Sequence, residues 1–224
     1  MLHGYTKMKQ PKNGFTIIEL MIATTVFSLV LMVCLGGVMQ ITKMYYRAVT
    51  QAKTREAART IVDEIAESIR FSSQNVIVAP AVVGPQINLG STTTSYICVG
   101  QRRYTFAIDR QVKDNPLPDT KQQKNALWLD QPTVCSGAAD LTLGTPTPDG
   151  KSLLGENMRL YELSVSLKDP IERIYEIRVG VAYGDEDLLS VQVTDPTQLT
   201  CEGAFVGVEF CATTNYLVTV QKRL

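Results

Sequence analysis

The stretch GFTIIELMIATTVFSLVLMVCLGGVMQIT, residues 14–42, decides how this 224-residue chain is built. From Leu20 to Thr42 it runs for 23 residues without a charged side chain. As a helix rising about 1.5 Å per residue it spans roughly 35 Å, enough to cross the hydrocarbon core of a bilayer. Residues 1–14, MLHGYTKMKQPKNG, carry Lys7, Lys9 and Lys12 and no acid, and read as a short basic leader. A secretory signal places its small-residue cleavage site after the apolar stretch. Here Gly14 comes before it, so a cut there leaves the apolar helix on the mature chain. Glu19 lies one turn inside that helix, where a carboxylate costs on the order of 2.5 to 3.5 kcal/mol at the bilayer centre and somewhat less near the interface, so it needs a compensating partner.

Working towards the C-terminus, no proline occurs between Pro11 and Pro80, and the spacing predicts one helix from about Thr16 to Arg70. Beyond Ile41 the pattern turns amphipathic: Ile41, Tyr45, Ala48 and Ala52, then Ala58, Ile61, Val62, Ile65 and Ile69, recur at helical intervals. Lys53, Arg55, Glu56, Arg59, Asp63, Glu64, Glu67 and Arg70 fall on the other face, with Arg59 and Asp63 spaced to pair. Gly36 and Gly37 each cost about 1 kcal/mol relative to alanine in a helix interior. They mark either a point of bending or a place where small residues let two membrane helices pack closely.

After Ser72 the period changes from helical to alternating. Tyr161 to Leu167 and Tyr175 to Tyr183 read as half-buried strands joined near Lys168-Asp169-Pro170, and Asn215 to Gln221 as a third. Shorter candidates are 76–79, 96–100, 103–108 and 126–130. The stripe Ala58, Ile61, Ile65 and Ile69 is the one long surface suited to cover such an antiparallel sheet, which predicts an α+β layout of sheet on helix. Long loops are expected at 80–94, 113–125, 131–155 and 194–211.

Composition removes several functions. With 22 basic and 22 acidic residues there is no electrostatic footprint for tight duplex binding, so no strong nucleic-acid signal. His3 is the single histidine, which excludes histidine-based triads and H-E-x-x-H zinc sites from the body of the chain. No Gly-rich phosphate loop occurs, no catalytic constellation is visible, and no cofactor is expected. Cys34 lies in the apolar block; Cys98, Cys135, Cys201 and Cys211 form an even set without C-x-x-C spacing. That set argues for two disulfides in an oxidising compartment, with three pairings open, of which 98–135 with 201–211 is the most local. Four buried free thiols are the alternative. Asp185, Glu186 and Asp187 are a weak calcium candidate that fails the EF-hand pattern. Gln101, Arg102 and Arg103 form one basic turn between two expected strands, a weak candidate for contact with DNA phosphate. Trp128, Tyr183 and Tyr216 read as core or sheet-face residues.

Gly14-Phe15-Thr16-Ile17-Ile18-Glu19-Leu20, with the basic leader before it and the apolar run after it, resembles the processing site of type IV prepilins and of the pseudopilins of type II secretion and competence systems. The resemblance covers roughly residues 7–41. It implies that a prepilin peptidase cuts between Gly14 and Phe15 and methylates the new Phe15 amine. It also implies that Glu19 pairs with the amine of a neighbouring subunit as an assembly salt bridge. Partners implied are other pilin subunits, an assembly platform protein and, through it, an assembly ATPase. Positive-inside counting is indecisive, because Lys43, Arg47, Lys53 and Arg55 follow the span. The motif and the cysteines place the leader in the cytoplasm and the C-terminal part outside, so that the chain is a single-pass protein of the cytoplasmic membrane before it reaches the cell surface.

The organisation expected is therefore leader 1–14, assembly helix 15–42, amphipathic half 43–71 and β-rich domain 72–224. A large, loop-rich domain and a helix without proline favour a minor, structural subunit that starts filaments or forms their tip. Alternatives are a secretion or competence pseudopilin, a major pilin, and a membrane-anchored binding domain that does not assemble. The last explains the anchor and the disulfides but not the pattern from Gly14 to Glu19.

Overall fold

The computed structural model describes residues 14–73, 76–79, 94–118, 121–191, 199–201 and 207–223. The expected loop at 80–94 up to its last residue, most of that at 194–211 and all of the leader before Gly14 lie outside them. The chain forms two compact units that divide after Lys43.

One helix, α1, runs without a break over Ile17–Phe71, 55 residues. Gly36 and Gly37 lie within it, and a methyl group on either would meet nothing within 4 Å. In the first unit every described residue, from Gly14 to Lys43, is exposed, including large apolar side chains such as Leu29, Met32 and Val33. A helix apolar all round and uncovered by its own fold belongs in lipid or among other helices. Among the described residues it is the one helix long and apolar enough to cross a membrane.

In the second unit α1 buries Thr50, Thr54, Ala58, Ile61, Val62, Ile65, Ala66, Ser68 and Ile69. The rear half of the expected stripe is therefore covered. Its front half is not: Ile41, Tyr45, Ala48 and Ala52 are exposed. The covered row instead continues through two threonines, whose hydroxyls donate to the carbonyls of Tyr46 and Thr50, each at 2.8 Å. A threonine that satisfies its hydroxyl within the helix can face a core, so polarity misreads the row. Glu64 is also not on the solvent face. Its carboxylate, only 21% exposed, meets Arg102 at 2.7 Å and Lys151 at 3.4 Å.

The strands are β1 (Val76–Ala79), β2 (Thr94–Val99), β3 (Arg102–Ala107), β4 (Gln111–Val112), β5 (Gln122–Gln123), β6 (Leu127–Asp130), β7 (Lys151–Ser152), β8 (Met158–Asp169), β9 (Ile174–Tyr183), β10 (Leu189–Val191), β11 (Leu199–Cys201) and β12 (Ala212–Gln221). They form two five-stranded sheets, β1-β2-β3-β6-β7 and β12-β9-β8-β4-β5, and a two-stranded ribbon, β10-β11. All pairings are antiparallel except β4 with β5. The layout is α+β, with two principal sheets where the alternation suggested one. One core joins them. Ile61, Ile65 and Ile69 of α1 pack with Ile97, Tyr104, Phe106 and Leu127 of the first sheet and with Leu160, Leu163, Ile177 and Val179 of the second.

The first sheet is covered on its other face too. Ala107 and Trp128 pack with Ala139 and Leu141, and the Trp128 indole N–H donates to the Thr147 hydroxyl at 2.8 Å. The segment expected as the surface loop 131–155 thus forms part of a second layer. In the second sheet, Tyr161 sits at an irregularity in the β8–β9 register and its ring lies over Gly180. Its hydroxyl donates to the Thr214 carbonyl at 3.0 Å, and burial pushes the phenol above its ordinary range. The helix end is tied as well: Tyr104 and Ser68 share a 2.7 Å hydrogen bond, and the Arg70 carbonyl accepts from the Arg223 N–H.

Candidate functional site

Gly14, Phe15 and Thr16 precede the helix in non-helical backbone, and Phe15 is 85% exposed. Thr16 is the residue that starts α1. Its carbonyl accepts from the Leu20 N–H at 3.2 Å, and its hydroxyl oxygen accepts from the Glu19 N–H at 3.3 Å. In return the Glu19 carboxylate accepts from the Thr16 N–H at 2.9 Å and from the Thr16 hydroxyl at 2.8 Å. This is a reciprocal capping box, which satisfies donors that a helix start otherwise leaves without partners. Both bonds to the carboxylate fall on Oε2. Reasoning from the sequence missed Thr16, although the T-x-x-E spacing ahead of an apolar run is a readable signal.

The four cysteines outside the helix are paired. Cys98 of β2 bonds Cys135, and Cys201 of β11 bonds Cys211 just before β12; Cys34 is free and exposed. The first bridge fastens the 131–141 segment to the first sheet, and the second joins the ribbon to the edge strand of the second sheet.

The basic turn is used inside the fold. Arg103 stands directly opposite Asp130 in the β3–β6 register and grips it in a bidentate pair, Nε to Oδ1 at 2.9 Å and the second guanidinium nitrogen to Oδ2 at 2.5 Å. Its remaining nitrogen donates to the Gly137 carbonyl at 3.0 Å. Arg102 is engaged by Glu64 and also donates to the Ser68 hydroxyl at 3.0 Å. Both guanidinium groups are engaged by carboxylates of the fold.

The acidic turn meets lysines. Asp185 accepts from the Gln111 amide at 3.0 Å and lies 3.3 Å from the Lys113 ammonium, which together hold its carboxyl below the usual range. Glu186 lies 2.6 Å from Lys121, whose ammonium also reaches Asp109 at 3.1 Å. Burial alone would lower the Lys121 pKa, but these two carboxylates outweigh it and hold the group above its ordinary value. Asp109 in turn pairs with the fully buried Arg159 at 3.1 Å. Sequence reasoning gave no hint of this network, whose central pair is 50 residues apart in the chain. Among the described residues no group of three or more His, Cys, Asp or Glu side chains is placed to hold a metal ion.

Residues 9–35 match the family model for the prokaryotic N-terminal methylation motif. No curated protein and no solved structure matches the chain. The motif, continuous with a 55-residue helix that the antiparallel-rich sheets follow, supports a type IV pilin-like protein. Proteins of this class are structural, the motif implies processing by a prepilin peptidase and assembly with other pilins, and the exposed apolar helix fits membrane anchoring.

Proposed function

We propose that this chain is a minor subunit of a type IV pilus-like filament, which helps initiate assembly or forms the tip. It is held in the cytoplasmic membrane by residues 15–42, with the sheet-bearing domain outside. Cleavage after Gly14 removes the leader, and methylation modifies the Phe15 amine. The observation that carries this reading is the methylation motif joined without interruption to an uncovered apolar helix.

The geometry at the helix start supports a role for Glu19. In the single chain Thr16 satisfies one carboxylate oxygen and fixes the side chain against the helix N-terminus. A carboxylate already oriented loses less freedom when a neighbour's amine docks on Oε1 than one that must first be ordered. Cleavage supplies that amine on the neighbouring subunit, so the same event that frees the helix creates the cation able to neutralise Glu19.

Intact-mass and peptide mass spectrometry on protein from the native membrane tests the processing: a mature chain beginning at methylated Phe15 is expected. A chain that retains residues 1–14 refutes it and favours the non-assembling binding domain. Sheared filaments test the role. A minor subunit is present in trace amounts, a major pilin abundantly, and complete absence removes the filament assignment.

A further inference from the structure

Three aromatic rings gather in the second unit. Tyr46 on α1 and Phe210, far apart in sequence, lie with ring centroids 5.3 Å apart, and Tyr45 meets Tyr46 edge-on at 5.9 Å. They are not core residues: Tyr45 is 65% exposed, Tyr46 45% and Phe210 44%. Phe210 is nonetheless firmly placed. It ends a single 3-10 turn, Val208–Phe210, its N–H donates to the Gly207 carbonyl at 2.8 Å, and the next residue is the bridged Cys211. Gly207 adopts φ +110 and Gly184, against the Phe210 carbonyl, φ +120, two backbone conformations that favour glycine. A covalent clip and a tight turn thus hold a large apolar ring on the surface instead of in the interior.

We propose that Phe210, held against Tyr46 by the Cys201–Cys211 clip, contacts lipid, and that with Tyr45 and Arg47 it seats the sheet-bearing unit on the headgroup boundary of a phospholipid bilayer before assembly. This rests on the reading of residues 15–42 as the membrane span. The charge-free stretch ends at Thr42, and Tyr46 follows four residues later on the same helix, about 6 Å of rise further on. That is the depth at which tyrosine, with an apolar ring and a polar hydroxyl, is favoured at membrane interfaces. Phe210 lies in contact with Tyr46 and so shares its depth. Arg47 supplies a guanidinium whose fork suits a lipid phosphate. A protein neighbour is the rival occupant, but the continuity with the span and the pairing of aromatic rings with a cation favour lipid.

The test uses the full chain in phosphatidylcholine–phosphatidylglycerol vesicles with Phe210→Trp as reporter. The native Trp128 is buried and bonded to Thr147, and serves as a constant background. The emission added by Phe210→Trp should be quenched by lipids brominated near the headgroup and shielded from aqueous acrylamide. Adding Tyr46→Ala, or reducing the Cys201–Cys211 bridge, should expose it to acrylamide. Tyr46→Trp should report the same depth and decides the matter if Phe210→Trp does not fold. Leu29→Trp, quenched by deeply brominated lipid, checks the span. Should that control fail, the spanning reading and this inference both fall. If the control holds while the Phe210 and Tyr46 reporters answer only to acrylamide, this inference alone is overturned. Protection from both quenchers also overturns it and points to a second protein chain.

Discussion

Breaking the Arg103–Asp130 pair tests whether the basic turn serves the fold or a ligand. Asp130→Leu leaves the Arg103 guanidinium, whose side chain is 9% exposed, in the middle of the first sheet with the Gly137 carbonyl as a remaining acceptor. Removing one partner of a buried ion pair costs about 3 to 5 kcal/mol, because the other charge stays behind without its counter-charge. For a domain of this size each kcal/mol lowers the melting temperature by about 2 to 4 °C, so the expected loss is about 6 to 20 °C. Arg103→Met should fall in the same range, since it strands the Asp130 carboxylate. The double replacement Arg103→Met with Asp130→Leu should recover most of the loss, because two apolar side chains leave no buried charge. Thermal unfolding followed by far-UV circular dichroism on the four proteins gives the coupling energy directly. Single variants within about 1 kcal/mol of the parent would refute the argument that this pair is desolvated. The same proteins, kept below their melting temperatures, should show no change in DNA retention, since neither charge faces a phosphate.

Other consequences follow from particular contacts. Glu19→Ala should leave membrane insertion and cleavage intact but exclude the chain from filaments, scored by immunoblot of sheared fibres; normal incorporation counts against the pairing role. Thr16→Val, which keeps the backbone N–H but removes the hydroxyl, should weaken incorporation less than Glu19→Ala in the same assay. Gly180→Ala places a methyl about 2.5 Å from the Tyr161 ring and should cost about 1 to 3 kcal/mol in urea unfolding, as overpacking does. The lowered Asp185 carboxyl stabilises the fold above the ordinary aspartate pKa, and that contribution is lost as pH falls through its folded value. The raised Lys121 ammonium stabilises below the ordinary lysine pKa and is lost as pH climbs through its folded value. Melting temperature should therefore be level from about pH 5 to 9 and fall on both sides; Lys121→Met should remove the Lys121 part of the alkaline fall while Asp185→Asn weakens the acid one.

The strong periodic signals in this sequence correspond to the long helix and to the two longest strands of the second sheet. The helix expected from Thr16 to Arg70 runs over Ile17–Phe71, and the strands expected at 161–167 and 175–183 are the cores of β8 and β9. β3 is covered on one face by α1 and on the other by a segment that includes Ala139 and Leu141, so its alternating polar residues Arg103 and Thr105 are buried where alternation alone reads a solvent face. Strands of two residues such as β4, β5 and β7 are too short to show any period. Alternation does not separate the two sheets, because pairing partners are set by tertiary packing, which it does not encode.

Charge misled for a related reason. Arg103 and Arg159 look like surface residues in the sequence, yet each is buried against a carboxylate brought from 27 or 50 positions away. Basic side chains in the sheet domain therefore say little about what it binds, since the fold itself consumes several of them. The N-terminal segment differs in kind. Its Thr16–Glu19 contact is local, three residues long, and requires no tertiary structure. A site that forms from its own turn of helix does not depend on tertiary packing, whereas any surface built from the sheets depends on the packing beneath it. On the proposed assembly role of Glu19, that independence would let the helix present the same carboxylate before and after it leaves the membrane.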